Sequence, residues 1–341
     1  MPRNRRLRTV VMSTTLVAVF GIAAWLLPQR GLRDAFTHSA GVVMPQASEE
    51  APEAASPSDP SAGEAVSRAP PSIDVAEERD WLSDYTESTD LYAFVTDAVP
   101  RALAGDHRAQ YFVGQALLDC KTLVATVNLA RKGSFIANVE ETMASYQLHE
   151  PARRRMTEHI RRCEGFFTDN PVANLAEEQQ QFRYWSDRAL AGNDAFALID
   201  RALKRGVGEE AVHTPSGPSE RRSGVLSDIR QALSTREPAV IFKVGALYSN
   251  PTFARNADVQ GPAWLLAACS AGYDCSVTNT NVGFGCAQAG ECDAGRTIAN
   301  DLELSLAPAK YAAAYAAGQD ILYKIETGDW DGLESYLDAR L

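Results

Sequence analysis

Six cysteines are the residues in this chain best placed to do chemistry: Cys120, Cys163, Cys269, Cys275, Cys286 and Cys292. The last four form two similar units, Cys269-SAGYD-Cys275 and Cys286-AQAGE-Cys292. Each sets a Cys near a helix end, then Ala-Gly as a stop, then an acidic residue and a second Cys. A tight turn there brings the two Cα atoms of a unit within the ~5.5–6 Å that a disulfide needs. Two other readings use the same four thiols: a four-Cys zinc site, or free structural cysteines. Zinc knuckles favour two to four intervening residues, and both units have five. No C-x-x-C occurs, so the spacing of a redox-active pair is absent.

Other chemistry is thinly represented. The histidines are His38, His107, His149, His159 and His213, and none sits in H-E-x-x-H. Glu158 and His159 are neighbours, but consecutive helical residues point about 100° apart, so both read as solvated surface. His213 lies beside Thr214 and Ser216 without the elbow of a nucleophile triad. No G-x-S-x-G, P-loop or G-x-G-x-x-G is present, and Gly283-Phe284-Gly285 is too short to cradle a phosphate. The expectation is therefore no cofactor and no metal. Carboxylate pairs such as Glu140-Glu141 and Glu177-Glu178 read as solvated helix faces. Catalysis would have to come from carboxylates converging from distant helices, as in a glycan hydrolase.

Charge narrows the partners. The first 33 residues hold six Arg and no acid; beyond them stand 27 basic against 44 acidic residues, a net charge of −17. Such a body repels nucleic acid and anionic headgroups, so no nucleic-acid partner is expected. Thr9 to Gln29 is an uncharged run of 21 residues. At ~1.5 Å per residue it spans ~30 Å, the thickness of a bilayer core. Cleaved signals usually carry a shorter apolar stretch of roughly 7–15 residues. Arg3, Arg5, Arg6 and Arg8 precede the run and Trp25 stands near its far end. This predicts an uncleaved signal anchor with residues 1–8 in the cytoplasm and the body outside, in the periplasm of an inner-membrane protein. The alternative is cleavage and secretion.

Residues 30–75 read as a disordered linker; six of the 27 residues over 45–71 are Pro, the rest mostly Ala, Ser and Glu. From residue 76 the composition is that of a folded, all-α body with few strand signals. Apolar positions Ala109, Phe112, Val113, Ala116, Leu117 and Cys120 follow helical spacing after Gly105 as a stop and Asp106 as an N-cap. Pro151 and Pro308 mark two further helix starts. The body divides into a first helical block over 76–205, an exposed loop over 206–224 and a second block over 225–341.

The sequence repeats itself. RALAG at 101–105 returns at 188–192, and ALAGDHRAQYFVGQAL at 102–117 aligns with 232–247. Trp264, Ala268 and Gly272 give a fourth copy. A period of about 40 residues with small residues at fixed offsets predicts stacked helical hairpins, each burying its apolar face against the next.

These residues resemble the Sel1-like repeat, a relative of the tetratricopeptide repeat. Ala102, Gly105, Ala109, Tyr111 and Gly114 match one half of that hairpin, and Trp264, Ala268 and Gly272 the other. Trp185, Ala189 and Gly192 match more loosely; Thr235 stands where Gly is expected, and 121–180 and the chain after about 290 fit poorly. The resemblance implies an α-solenoid of antiparallel hairpins with a concave binding surface. Cysteine-rich relatives staple a hairpin with a local bridge, which supports 269–275 and 286–292. Cys120 and Cys163 then remain, 43 residues or one repeat length apart. The functional expectation is a non-catalytic, membrane-tethered scaffold binding a protein partner. A convergent-carboxylate hydrolase and a small-ligand binder are the alternatives.

Overall fold

The computed structural model describes residues 79–125, 135–145, 150–167, 171–207, 217–277, 279, 282 and 295–337. The anchor at 9–29, the linker at 30–75, Cys286 and Cys292 lie outside these residues. Among the described residues there are thirteen α-helices, two 3-10 turns and no strand. None of these helices is long and apolar enough to cross a membrane.

Helix α1 (Trp81–Glu87) leads through Asp90 into α2 (Leu91–Leu103), whose first backbone N–H groups Asp90 caps through Tyr92 N and Ala93 N. Then follow α3 (His107–Ala125), α4 (Phe135–Ser145), α5 (Glu150–Arg161) and a 3-10 turn over Glu164–Phe167. Next come α6 (Pro171–Ala191), α7 (Ala195–Val207), α8 (Pro218–Leu233), α9 (Pro238–Tyr248) and α10 (Ala257–Ser270). The chain closes with α11 (Ile298–Ser305), α12 (Pro308–Thr327), α13 (Trp330–Leu333) and a 3-10 turn over Glu334–Tyr336. The loop expected over 206–224 is shorter than its composition suggests. Gly206 and Val207 close α7, and 218–224 are the first two turns of α8, opened by Pro218 at a position that needs no backbone donor.

Four helix ends before residue 273 share one backbone signature, and Gly328 ends α12 in the same way. Gly105, Asn193, Arg236 and Gly272 all have left-handed φ, at +100°, +59°, +58° and +104°. In three of them the next two bonds are the same: Gly105 N to Ala102 O and Asp106 N to Arg101 O, Asn193 N to Leu190 O and Asp194 N to Ala189 O, Gly272 N to Cys269 O and Tyr273 N to Ala268 O. This is the Schellman end, which satisfies two orphan carbonyls and reverses the chain. The geometry corrects the sequence alignment by one residue. In the second copy Asn193, not Gly192, is the left-handed residue, and in the third it is Arg236, not Thr235. Gly192 has another reason to be small: a Cβ there would lie 2.0 Å from the His107 ring.

Counted from the left-handed residue, the ninth position of the following helix is Gly114, Ala202 or Gly245, all buried. Gly114 of α3 faces Trp185 and Ser186 of α6, and Gly245 of α9 faces Leu265 of α10. Ser186 and Leu265 both stand seven residues before their own left-handed residue, so the two crossings are equivalent. The broadest helix contacts are α3 with α6, α7 with α8, α9 with α10, and α10 with α12. One apolar core runs through them from Trp81 to Leu337, with Trp264, Tyr248, Phe112 and Phe253 among its largest fully buried side chains.

Two disulfides are formed. Cys120–Cys163 ties α3 to the turn after α5 at a Cα separation of 5.3 Å, and Cys269–Cys275 straddles the reversal at Gly272 at 5.6 Å. No cysteine is free among the described residues.

Candidate functional site

The repeat residues singled out in the sequence are mostly packing residues. Ala102, Ala109, Ala189, Trp264 and Ala268 have no exposed surface, and Trp185 has 6%. Gly105 and Gly272 make reversals, and Gly114 makes a helix crossing. Tyr111 is the exception. Its ring is buried in the core, but its hydroxyl opens a polar network across three helices that the sequence did not reveal.

That network begins where α3, α7 and α9 start. Asp106 caps α3 through Ala109 N at 2.9 Å and accepts Trp81 Nε1 at 2.8 Å. Asp194 caps α7 through Phe196 N and Ala197 N at 3.0 and 3.1 Å. Arg108 joins all three helices: its Nε donates to Asp194 at 2.6 Å, and its two Nη groups grip Glu237 at 2.6 and 2.7 Å. A bidentate fork of this kind fixes direction as well as charge. The guanidinium also lies 4.7 Å from the Phe196 ring centre. Burial alone would depress its pKa, but the carboxylates of Glu237 and Asp194 outweigh that and hold Arg108 charged.

One turn further along, Phe196 stacks on Tyr111 at 5.3 Å. The Tyr111 hydroxyl meets Asp200 Oδ2 at 3.1 Å and Gln115 Oε1 at 3.3 Å, and receives a hydrogen bond from Lys243 Nζ. Lys243 pairs with Asp200 at 2.7 Å and lies over the Tyr111 ring at 4.7 Å. Gln115 Nε2 passes the network to Asp119 Oδ1 at 2.7 Å, whose second oxygen accepts the Tyr85 hydroxyl. Burial first, then the negative charge of Asp119, pushes the Tyr85 phenol up; for Tyr111 the order is burial, then Asp200. Burial also raises the Asp119 carboxyl, against the opposing pull of the Tyr85 hydrogen bond and the Arg162 charge.

The Cys120–Cys163 bridge closes this end, because its neighbours in sequence are Asp119 and Arg162. Arg162 Nε donates to Ser88 O at 2.8 Å and its Nη2 to Tyr85 O, with the guanidinium 5.3 Å from the Tyr85 ring centre. His159 sits against the same guanidinium. Burial, then Arg162, lowers its pKa from 6.5 to about 3, which corrects the expectation of a solvated surface histidine. Glu140 is a surface residue as expected and pairs with Arg161 at 2.8 Å.

The result is a ribbon of alternating aromatic, acidic and basic groups on α3, α7 and α9. It is half open to solvent: side-chain exposure is 23% for Lys243, 36% for Asp200 and 34% for Glu237. Among the described residues no group of three or more His, Cys, Asp or Glu has the geometry to hold a metal. Compared with family models, with curated proteins and with solved structures, the chain matches none.

Proposed function

We propose that this protein is a Sel1-like array of helical hairpins, carried outside the cytoplasm on its N-terminal anchor and linker, that binds an extended segment of a protein partner along the ribbon of α3, α7 and α9. The observation that carries the reading is the ribbon itself: three helices that each follow a left-handed reversal bring Gln115, Asp200 and Lys243 to one partly exposed surface, packed over the buried rings of Tyr111 and Phe196. Paired charges held on rigid helices suit recognition of a peptide whose own polar groups exchange with them. The two disulfides fit an oxidising compartment, and the basic, apolar, then Pro-rich order of the first 75 residues fits an anchored export route.

Capture from detergent-extracted membranes tests this reading. The wild-type chain should retain a recurrent protein partner. A variant with Asp200→Asn and Lys243→Met, altered together so that neither charge is left unpaired, should lose most of it while melting within a few degrees of wild type. A monodisperse chain with no recurrent partner contradicts the reading.

One observation favours a second reading. Asp119 is pushed toward its protonated form while Asp200 is ion-paired to Lys243, and Tyr111 and Gln115 link the two. Contrasting carboxylates are the pattern of a glycoside hydrolase. Release of soluble fragments from cell-wall glycan that depends on Asp119 would favour this alternative.

A further inference from the structure

The hairpin of α7 and α8 departs from its neighbours at one place. Counted from the left-handed residue before each helix, Arg201, Lys204 and Arg205 of α7 stand where α3 has Val113, Ala116 and Leu117 and α9 has Val244, Leu247 and Tyr248. All six of those equivalents are buried. Eight residues before the next left-handed residue, α8 has Asp228 where α6 has Trp185 and α10 has Trp264. Three cations and one carboxylate thus take the positions of three apolar side chains and a packed indole. Asp228 is only 3% exposed. Its Oδ1 accepts Arg201 Nη2 at 2.7 Å, and its Oδ2 accepts Arg201 Nε and Arg205 Nη1, both at 2.9 Å. Gly224, one turn earlier in α8, leaves room for this contact, since a Cβ there would lie 3.2 Å from Arg205 Nη1. Glycine inside a helix weakens it, so the gap comes at the expense of helix stability.

We propose that this cluster binds a phosphate group. A buried ion pair in place of apolar packing does not by itself stabilise a fold, and replacing such a pair with well-packed apolar groups often does. The exchange therefore points to a role other than packing. The charges also fail to balance. Two guanidiniums share one carboxylate, and the exposed Lys204 follows Arg201 by three positions, on the same side of α7. That is an excess of two positive charges in a body whose net charge is −17. Of the other described acids on these two helices, Asp200 is paired with Lys243, and Glu220 stands beside Arg221 and Arg222. Asp228 leaves Arg201 Nη1 and Arg205 Nε and Nη2 as donors for a further acceptor, on side chains that are 28% and 37% exposed. The buried carboxylate fixes both guanidiniums before a ligand arrives, which lowers the ordering cost of binding. Guanidinium forks suit oxyanions, and a surplus of two charges matches a phosphate dianion better than a carboxylate. No ribbon residue takes part, so the site does not depend on what binds along α3, α7 and α9.

The test titrates inorganic phosphate into the detergent-solubilised full chain by calorimetry, at a mildly alkaline pH where the dianion predominates. Saturable binding is expected, tighter than that of acetate. Lys204→Ala should weaken it about five-fold or more, and Arg205→Gln should weaken it further. Arg154→Ala, which removes an exposed cation of α5, should leave it unchanged. Lys204 forms no ion pair among the described residues, so Lys204→Ala keeps the test valid if Arg205→Gln lowers the circular dichroism melt. Short-chain, water-soluble phosphatidic acid in the same assay assigns the source. Binding tighter than that of phosphate, and lost in Lys204→Ala, supports the site and names a lipid headgroup; equal or weaker binding supports the site and names a soluble phosphate. Absence of saturable phosphate binding, equal binding of acetate, unchanged binding in Lys204→Ala, or an equal loss in Arg154→Ala overturns the proposal.

Discussion

The two ends of the molecule solve the same packing problem differently. Around α9 and α10 the chain goes straight from one helix to its neighbour, and Gly261 to Ala268 are eight consecutive buried residues. Around α3 and α6 it first inserts α4 and α5. Of the described side chains in those two helices, only Asn138, Val139 and Ile160 are buried. Where apolar burial is thin, a covalent tie and a charged clamp stand in its place. Cys120–Cys163 pins the insertion to α3, and Arg162 bonds the carbonyls of Tyr85 and Ser88. Where burial is dense, the bridge is local and closes only the reversal at Gly272. The difference teaches that helices burying little apolar surface need another fastening, here a bridge that closes a long loop and a guanidinium that satisfies backbone carbonyls.

The largest expected effect separates the bridges. Chain-entropy reasoning gives about 4 kcal/mol for closing the 43-residue loop and about 2 kcal/mol for the six-residue one. Guanidinium denaturation should show Cys120→Ala with Cys163→Ala losing about twice the stability lost by Cys269→Ala with Cys275→Ala. Equal losses would break the contrast between the two ends. A smaller effect sharpens it. His159 is held neutral in the fold, with a pKa of about 3 against 6.5 for the free group. The fold's advantage is therefore complete above pH 6.5 and declines by about 1.4 kcal/mol per unit as the pH falls toward 3. At pH 5 this amounts to about 2 kcal/mol, felt at the α3–α5 end first. His159→Gln should flatten that part of the stability–pH curve relative to wild type, and amide exchange in α5 should rise on acidification before exchange in α10. Identical slopes for wild type and variant would remove His159 as the cause.

The helical class, the reversal at Gly105, the Asp106 cap and the starts near Pro151 and Pro308 were legible because each rests on local chemistry: a left-handed residue, a capping carboxylate, a ring without an N–H. The ribbon was not legible, for a reason of geometry. Matching RALAG to RALAG sets the later copies one residue out of register, and one residue on a helix is a rotation of about 100°. In the corrected register Arg108 and Phe196 are both third after the left-handed residue, and Asp200 and Lys243 both seventh. Arg108 and Phe196 therefore share a face that the uncorrected alignment separates, whereas Asp200 and Lys243 correspond in either register. Asn193 and Arg236 hid this register by adopting a conformation that favours glycine. The pairing of Cys120 with Cys163 carried no local signal, since it depends on where a 43-residue excursion returns.

The central claim is that the surface shared by α3, α7 and α9 is the one this protein uses. The most direct test places benzoylphenylalanine at Gln115, on the ribbon, and separately at Gln231, on the exposed side of α8. With the full chain expressed in cells, illumination should give a recurrent protein adduct from position 115 and none from 231. Equal adducts from both positions, or adducts from 231 alone, would contradict the account.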